Sequence, residues 1–494
     1  MIDVAVIGAG VSGAALAREL CRWQLRIAVF EKGSDVCAGA SKGNSATVHS
    51  GHDATHGTKK AYYNVAGNAM YDQLCEELSV PFSRNGMIVF AASETDMAEV
   101  RRLKRNAVLN GVPGVRVMSR GELLEQEGYF GEDVIGGLYA PTSGIVCPYS
   151  LVIAMCENAA TNGATFHLDT EAQHIEKIEG GYRIYTNRGN FEARYVFNCA
   201  GTHADDINNE VSRRQFAILP RKGEHLILDK KLAPYVKATI SQTPRNLPSG
   251  GHTKGMGIMP SADGTILLGC DAHDAADKDE ASTTCTGSGE ILTYFEKNWR
   301  HFPISRVFPV FPRHMVIGAF AGLRPHPDTD DFIIGEAEDA PGFWNMAGIE
   351  SPGLTAAPAI AQELAQQAAE KYGFEINPDF DPVRRHRKPF RDMNMAERRQ
   401  AISEDPDYGR IVCRCEQVTR AEILAAIHSP IGARTVNAVK MRTRAGMGRC
   451  QGGFCGPEVV RILSEKLGIP MTEVTLCGEG SPIVPFEACG QGEL

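Results

Sequence analysis

A short apolar run leading into Gly8-Ala-Gly10-Val-Ser-Gly13 and then into a small-residue segment constrains this chain more than any other feature. Residues 2–7 read as a buried strand, residues 11–22 as a helix, and residues 26–30 as a second buried strand ending at Glu31. Gly8 permits the tight turn, Gly10 lets backbone approach a pyrophosphate, and Gly13 lets the helix pack against the strand. Ser12 falls in the first helical turn, whose amides and dipole favour phosphate charge. Glu31 follows Gly13 by 18 residues, where a carboxylate can accept ribose hydroxyls. Strand, glycine motif, helix, strand and acid together predict an α/β fold with a Rossmann-type dinucleotide-binding domain. The motif alone does not say which dinucleotide.

The chain has 494 residues, 51 basic against 60 acidic side chains, and a net charge of -9. That balance argues against non-specific nucleic-acid binding, which needs a basic field. No apolar stretch is long enough for a direct membrane span, and the N-terminus lacks a cationic signal region. The expectation is a cytoplasmic protein, peripheral to the inner membrane only through partner subunits. Residues 165–197 and 220–270 read as strands broken by turn signals, and residues 357–371 as a long helix. A charged, apolar-poor segment containing Arg384-Arg385-His386-Arg387-Lys388 reads as a solvated linker. The expected partition is an oxidoreductase module over residues 1–375, a linker over 376–409, a metal-binding domain over 410–470 and a tail over 471–494.

Several segments resemble the D-amino-acid oxidase/glycerol-3-phosphate dehydrogenase family of flavoproteins over roughly residues 1–372. They are the glycine motif, Glu31-Lys32, Ala40-Ser41-Lys-Gly-Asn44-Ser45, Asn198-Cys-Ala200-Gly201, Gly322-Leu-Arg324-Pro325 and Gly348-Ile349-Glu-Ser351-Pro-Gly353-Leu354-Thr355. The resemblance implies FAD as the dinucleotide and an antiparallel-sheet substrate domain interleaved with the FAD-binding domain. It also implies that Glu31, Lys32, Ser41, Asn44 and Ser45 lie along the cofactor. Ala200 and Gly201 would wall the FAD phosphates. Gly348, Ile349, Gly353, Leu354 and Thr355 would meet the carbonyl edge of the flavin.

Oxidising an alcohol on a flavin requires a base near neutral pKa, which suits histidine. His49, shortly after Ser45, is the candidate, and it matches the histidine-bearing segment of glycerol-3-phosphate and hydroxyglutarate oxidases. His52 and His56 complete a local trio, but without a carboxylate partner they read as surface or substrate-rim residues rather than metal ligands. A small anionic substrate needs fixed cations. Arg324 is the leading candidate because a guanidinium can grip an oxyanion with two bonds. Lys254, on a glycine-flanked segment, is the second, and Ser351 can add a hydroxyl contact. Arg221 matches a recurrent family segment without an assigned contact.

Of 14 cysteines, six fall at or beyond Cys413. Cys413-Arg-Cys415 precedes a predicted helix over residues 420–427, and Cys450 and Cys455 follow after 34 intervening residues. Two close thiol pairs suit tetrahedral zinc or a [2Fe–2S] cluster. The segments Val412-Cys-Arg-Cys-Glu416 and Arg444-Ala-Gly-Met-Gly-Arg-Cys450-Gln-Gly-Gly-Phe-Cys455 resemble the bacterioferritin-associated-ferredoxin-like [2Fe–2S] domain, implying a small helical module with those four ligands. Cys477 and Cys489 match no ligand position and read as ordinary thiols of the tail. The combination resembles catalytic subunits of the anaerobic glycerol-3-phosphate dehydrogenase family. It implies oxidation of sn-glycerol 3-phosphate to dihydroxyacetone phosphate, with electrons leaving through the cluster to acceptor subunits and quinone. Oxidation of a 2-hydroxy acid, of an amine or opine, and a purely electron-transferring role are the alternatives.

Overall fold

The computed structural model describes residues 1–246, 252–253 and 255–485. Its first sheet has a parallel core in the order Thr165–His167, Ile27–Phe30, Ile2–Ile7, Gly189–Asn198 and Phe343–Ala347. The two buried strands predicted at the N-terminus pair in parallel, Val4 opposite Ile27 and Ile7 opposite Phe30. Between them the helix Val11–Leu20 is buried on every face. Its small residues let it pack closely against the helices Pro148–Thr161 and Gly353–Tyr372. An ideal Cβ on Gly13 would stand 1.9 Å from the Gly8 carbonyl oxygen, so only glycine fits there.

The last of these helices begins four residues before the predicted start, because Pro358 lies inside it. Proline has no N–H to offer the Leu354 carbonyl. The buried Tyr71 hydroxyl donates to that carbonyl instead, so the backbone acceptor is satisfied and the helix continues.

A nine-stranded, mostly antiparallel sheet forms the second layer. At its centre Ile218–Leu228 pairs with Val316–Pro327 along nearly its whole length. One pair is parallel, Thr239–Gln242 with Met87–Ala91. Met87–Ala91 and Gly136–Ala140 come from the chain between two strands of the first sheet, which makes the two subdomains interleaved. Trp299, Phe295, Phe302, Phe90 and Phe130 fill the core behind this sheet.

Residues 411–474 form a third, helical core around Ile423, Val439, Ile462 and Leu463. Here the charged segment departs from the expectation of a solvated linker. Arg384 reaches the buried Glu157 at 2.7 Å, and the Asp381 carbonyl accepts from Asn158 and Asn162. Phe390, Met393, Ala401 and Tyr408 then pack with Ala421 of the cluster module, and the helix Met395–Glu404 opens with an Asn394/Glu397 capping box. Arg384 has a buried partner while Arg385, Arg387 and Lys388 stay exposed, so the segment is anchored at a few points that its composition does not reveal. The start of the tail is also structured: Val474 is fully buried in the third core, and Leu476 O accepts from Asn437 N. Cys489 lies outside the described residues.

Arginines dock the third core on the first. Arg442, 5% exposed, makes a two-pronged pair with Asp35 at 2.6 and 2.8 Å. Arg444 meets Asp263 at 2.5 Å and Glu416 at 3.0 Å, while Lys230 meets Glu416 at 2.8 Å. Ile431 and Met441 add apolar contact with the first module. Among the described residues, no helix is long and apolar enough to cross a membrane. Arg442→Ala would leave the Asp35 carboxylate without its partner at about 3–5 kcal/mol. The expected outcome is a calorimetric unfolding profile that splits into two transitions, where the native chain gives coupled unfolding.

Candidate functional site

Part of the set singled out from the two sheets meets in one cavity of about 470 Å³, while Gly8, Glu31, Lys32, Ala200, Gly201 and Thr355 are not among its lining residues. Val11, Ser41, Asn44 and Ser45 line it together with His49, Arg324, Ile349, Ser351, Gly353 and Leu354. What holds the two groups together is a backbone contact. A Cβ on Gly43 would lie 2.6 Å from the Ala321 carbonyl oxygen, and one on Gly322 would lie 1.9 Å from the Gly43 carbonyl oxygen. The loop after Ser41 therefore rests directly on the strand that carries Arg324.

At the nucleotide end, Glu31 is buried and its carboxylate accepts from the amides of Ala9 and Gly33, each at 2.8 Å. Burial pushes its pKa up, against the pull of those two amides. Ser41 Oγ accepts from Val11 N at 2.8 Å, so its side chain caps the helix whose first turn contains Ser12 and Gly13. Asn44 bonds the carbonyls of Ala40 and Ser41 and accepts from Ala46 N, shaping the loop. Lys32 is half-exposed and pairs with Asp279 at 2.6 Å beside His203, just beyond Ala200 and Gly201. Asn198 is fully buried and bonds Asn345 and the Ala204 carbonyl, so it is a brace of the sheet end.

His49 is fixed through its backbone. Its amide donates to Thr355 Oγ1 at 2.9 Å, and its carbonyl accepts from Asn64 and Asn68. Thr355 thus spends its hydroxyl on positioning His49. His52 is buried and meets Ser50 Oγ at 2.8 Å, which replaces the expected rim position with an interior one. His56 is exposed against Asn110. The trio does not converge on a metal site among the described residues.

The Arg324 guanidinium is aimed by Cys270 Sγ at 2.8 Å, the Asp271 carbonyl at 3.2 Å and the Lys222 carbonyl at 3.4 Å. Any side chain at Gly223 would strike it, since a Cβ there would be 2.3 Å from Nη2. Arg221 sits opposite Arg324 across the strand pair, lines the cavity, and pairs with Asp274 at 3.1 Å. Lys254 lies outside the described residues. A network invisible in the sequence backs Ser351. Buried Glu350 pairs with Lys60 at 2.6 Å and His326 at 2.9 Å. Burial opposes ionisation of Glu350, but the Lys60 ammonium, with the His326 ring bonded beside it, holds its pKa below the usual carboxylate range. Lys60, in a Lys-Lys pair at a helix start, carries no signal that would separate it from surface charge.

In the third core the four thiols form two pairs. Cys415 and Cys450 stand 3.6 Å apart, the first exposed and the second half-buried. Cys413 and Cys455 are buried, and burial together with the neighbouring Cys413 pushes Cys455 up to about 12. The Phe454 amide, with Cys415 and the amides of residues 452 and 453, draws Cys450 down. Among the described residues no three of the four thiols lie within 4.8 Å of one another. One tetrahedral zinc would need all four at about that spacing or less, whereas two separated pairs fit the two irons of a [2Fe–2S] cluster.

A dinucleotide crevice shared with an oxidation site, joined to a two-pair thiolate module, defines a flavin-linked oxidoreductase with an iron–sulfur domain. Residues 3–367 match the FAD dependent oxidoreductase family, and the chain belongs to it. Residues 411–465 match the BFD-like [2Fe-2S] binding domain. The cofactors are therefore FAD and a [2Fe–2S] cluster. The chain is 43% identical over 487 residues to a glycerol 3-phosphate dehydrogenase of Caloramator mitchellensis, covering 98% of both chains. It is 27% identical to a glycerol 3-phosphate oxidase of Mycoplasma pneumoniae over 74% of this chain and 94% of that one. In fold it is similar to the dithionite-reduced L-alpha-glycerophosphate oxidase of that organism with FAD bound, at a TM-score of 0.71 and 24% identity, covering 78% and 99% of the two chains.

Gly322→Ala should force the Ser41 loop away from the Arg324 strand, at about 1–3 kcal/mol of overpacking. The expected result is purified protein with a reduced flavin-to-protein absorbance ratio and normal iron content. Cys415→Ser should do the reverse, keeping the flavin while the electron paramagnetic resonance signal of the reduced cluster disappears.

Proposed function

We propose that this protein oxidises sn-glycerol 3-phosphate to dihydroxyacetone phosphate and delivers the electrons, one at a time, to an acceptor protein. The observation that carries this reading is the cavity in which His49 and Arg324 share walls with Val11 of the nucleotide motif and with Ser41, Asn44 and Ser45. The substrates named for the glycerol 3-phosphate relatives fit a pocket whose lining includes the Arg324 and Arg221 guanidiniums and the His49 imidazole. Residues Gly8, Gly10, Ser12, Gly13, Glu31, Lys32, Ser41, Asn44, Ser45, Ala200 and Gly201 would hold FAD along its nucleotide and phosphates. Gly348, Ile349, Gly353, Leu354 and Thr355 would lie at the ring end, beside the N-terminus of the 20-residue helix Gly353–Tyr372, whose dipole favours negative charge. Cys413, Cys415, Cys450 and Cys455 would ligate the cluster.

In this scheme Arg324 and Lys254 grip the phosphate and the Ser351 hydroxyl bonds a substrate oxygen. That grip sets the secondary alcohol against His49, whose clamped backbone limits where the ring can stand. The imidazole takes the hydroxyl proton as the carbinol carbon gives up hydride, leaving a ketone. FAD, when bound, accepts that hydride, and the [2Fe–2S] cluster carries electrons onward singly. The acceptor would approach the Cys415 side, where that thiol is exposed and Phe454 is 86% exposed. Attachment to a membrane would come through such a partner.

Anaerobic addition of sn-glycerol 3-phosphate should bleach the flavin band and raise the reduced-cluster resonance signal. His49→Ala should slow bleaching by about 10²–10⁴-fold, and Arg324→Ala should raise the half-saturating concentration. Bleaching by 2-hydroxyglutarate or an opine but not by glycerol 3-phosphate would replace the substrate. Bleaching by none of them would favour an electron-transferring subunit.

A further inference from the structure

Beside the Arg324 guanidinium, at a corner of the cavity that Asp271 also lines, three ligating side chains converge. Asp271 follows the strand Ile266–Gly269, His273 lies on the short strand His273–Asp274, and Glu290 projects from the helix Cys285–Asn298. One ligand atom from each falls within 4.8 Å of the others. Asp271 is fully buried, and its Oδ2 has no hydrogen-bond partner; neither has Nε2 of His273. His273 Nε2 stands 3.4 Å from Asp271 Oδ2 and 3.2 Å from Glu290 Oε2. Ligands held about 2.0–2.2 Å from a tetrahedral zinc are separated by about 3.3–3.6 Å, so both spacings suit two edges of such a site.

The surroundings leave charge to be neutralised. Asp271 Oδ1 is used by the Glu224 amide at 2.5 Å, and the Glu224 carboxylate lies alongside, held by Thr284 and Ser288. Gly287 makes room for both: a Cβ there would stand 2.4 Å from Asp271 Oδ2 and 2.5 Å from Glu224 Oε1. Burial pushes Asp271 above the usual carboxylate range, and the neighbouring Glu224 adds to that. Two carboxylates, the buried Asp271 and the partly exposed Glu290, face one imidazole with the buried Glu224 alongside, which is a costly arrangement without a cation. His273 and Glu290 are partly exposed, so the site has an entry path.

We propose that Asp271, His273 and Glu290 bind one divalent transition-metal ion, zinc in the first instance, separate from the iron–sulfur cluster. One imidazole and two carboxylates form a donor set suited to that ion. The ion would be structural, fixing the Asp271 backbone whose carbonyl aims Arg324.

The test is metal analysis of the holoenzyme, with flavin and iron occupancy recorded so that the cysteine site is known to be filled. EDTA-washed holoenzyme titrated calorimetrically with zinc chloride should take up one equivalent per chain. His273→Ala and, on a different element, Glu290→Gln should each weaken that uptake by more than about 100-fold, beyond the loss expected of an outer-shell partner. Both should retain flavin and iron. Wild-type protein with a full cluster that takes up no zinc would overturn the proposal and leave His273 as a side chain set between two carboxylates. Uptake unchanged in both variants would overturn it as well, by placing the zinc elsewhere.

Discussion

The contact between Gly43 and Gly322 is the constraint on which the rest of the site depends. Each backbone occupies space that a side chain on the other would need. Because of it, the loop continuing from the phosphate-facing turn and the strand bearing Arg324 are parts of one wall. A separation larger by one methyl group would move the arginine relative to His49, and positional error of that size at a reacting centre is expensive in rate. The remaining braces repeat the pattern from other directions. Thr355 and two asparagines hold the His49 backbone, while Lys60, His326 and Glu350 tie the loop before Gly353 to the same strand and to the helix Lys59–Glu77. The site is built by backbone placement, and the side chains that do chemistry hang from fixed points.

The third core is attached by a different kind of force. Asp35, Asp263 and Glu416 receive Arg442, Arg444 and Lys230 in a largely buried interface. Asp35 belongs to the loop that follows Glu31, so the cluster module is fastened next to the nucleotide crevice. Arginine cannot lose its charge in the accessible pH range, and its planar fork holds both oxygens of Asp35. Burial shields these pairs from salt far better than exposed ones.

How much of this was legible in the sequence follows from the range of each interaction. The strand–glycine–helix–strand unit could be read because its causes lie within some thirty consecutive residues, and the sheet pairing of Val4 with Ile27 follows from them. The four thiols were equally visible as two close pairs in sequence, but their pairing in space, Cys415 with Cys450 and Cys413 with Cys455, was not. Residues 376–409 were misread because charge composition says nothing about whether a buried Glu157 awaits Arg384. His52 was placed at the surface or a rim when it is interior, since an imidazole bonded to Ser50 can pack inside with its polar atom satisfied. Glu350 and Lys60 are 290 residues apart, and no local pattern announces a pair at that distance.

The same reasoning explains why Arg324 could be chosen as an anion clamp without knowing what aims it. A guanidinium beside a proline in a family-like segment indicates the type of ligand, but its orientation depends on Gly223, Cys270 and the Asp271 carbonyl, all from neighbouring strands. Those partners are a thiol and backbone oxygens, and among the described residues no carboxylate pairs with it. A carboxylate there would neutralise the charge the substrate needs, whereas neutral acceptors orient the fork and leave its positive charge available. The carboxylates of Asp271 and Glu224 lie close by, yet the structure turns them toward Thr284, Ser288 and His273. In the proposed scheme, specificity for an anion rests as much on where those two acids point as on the arginine itself.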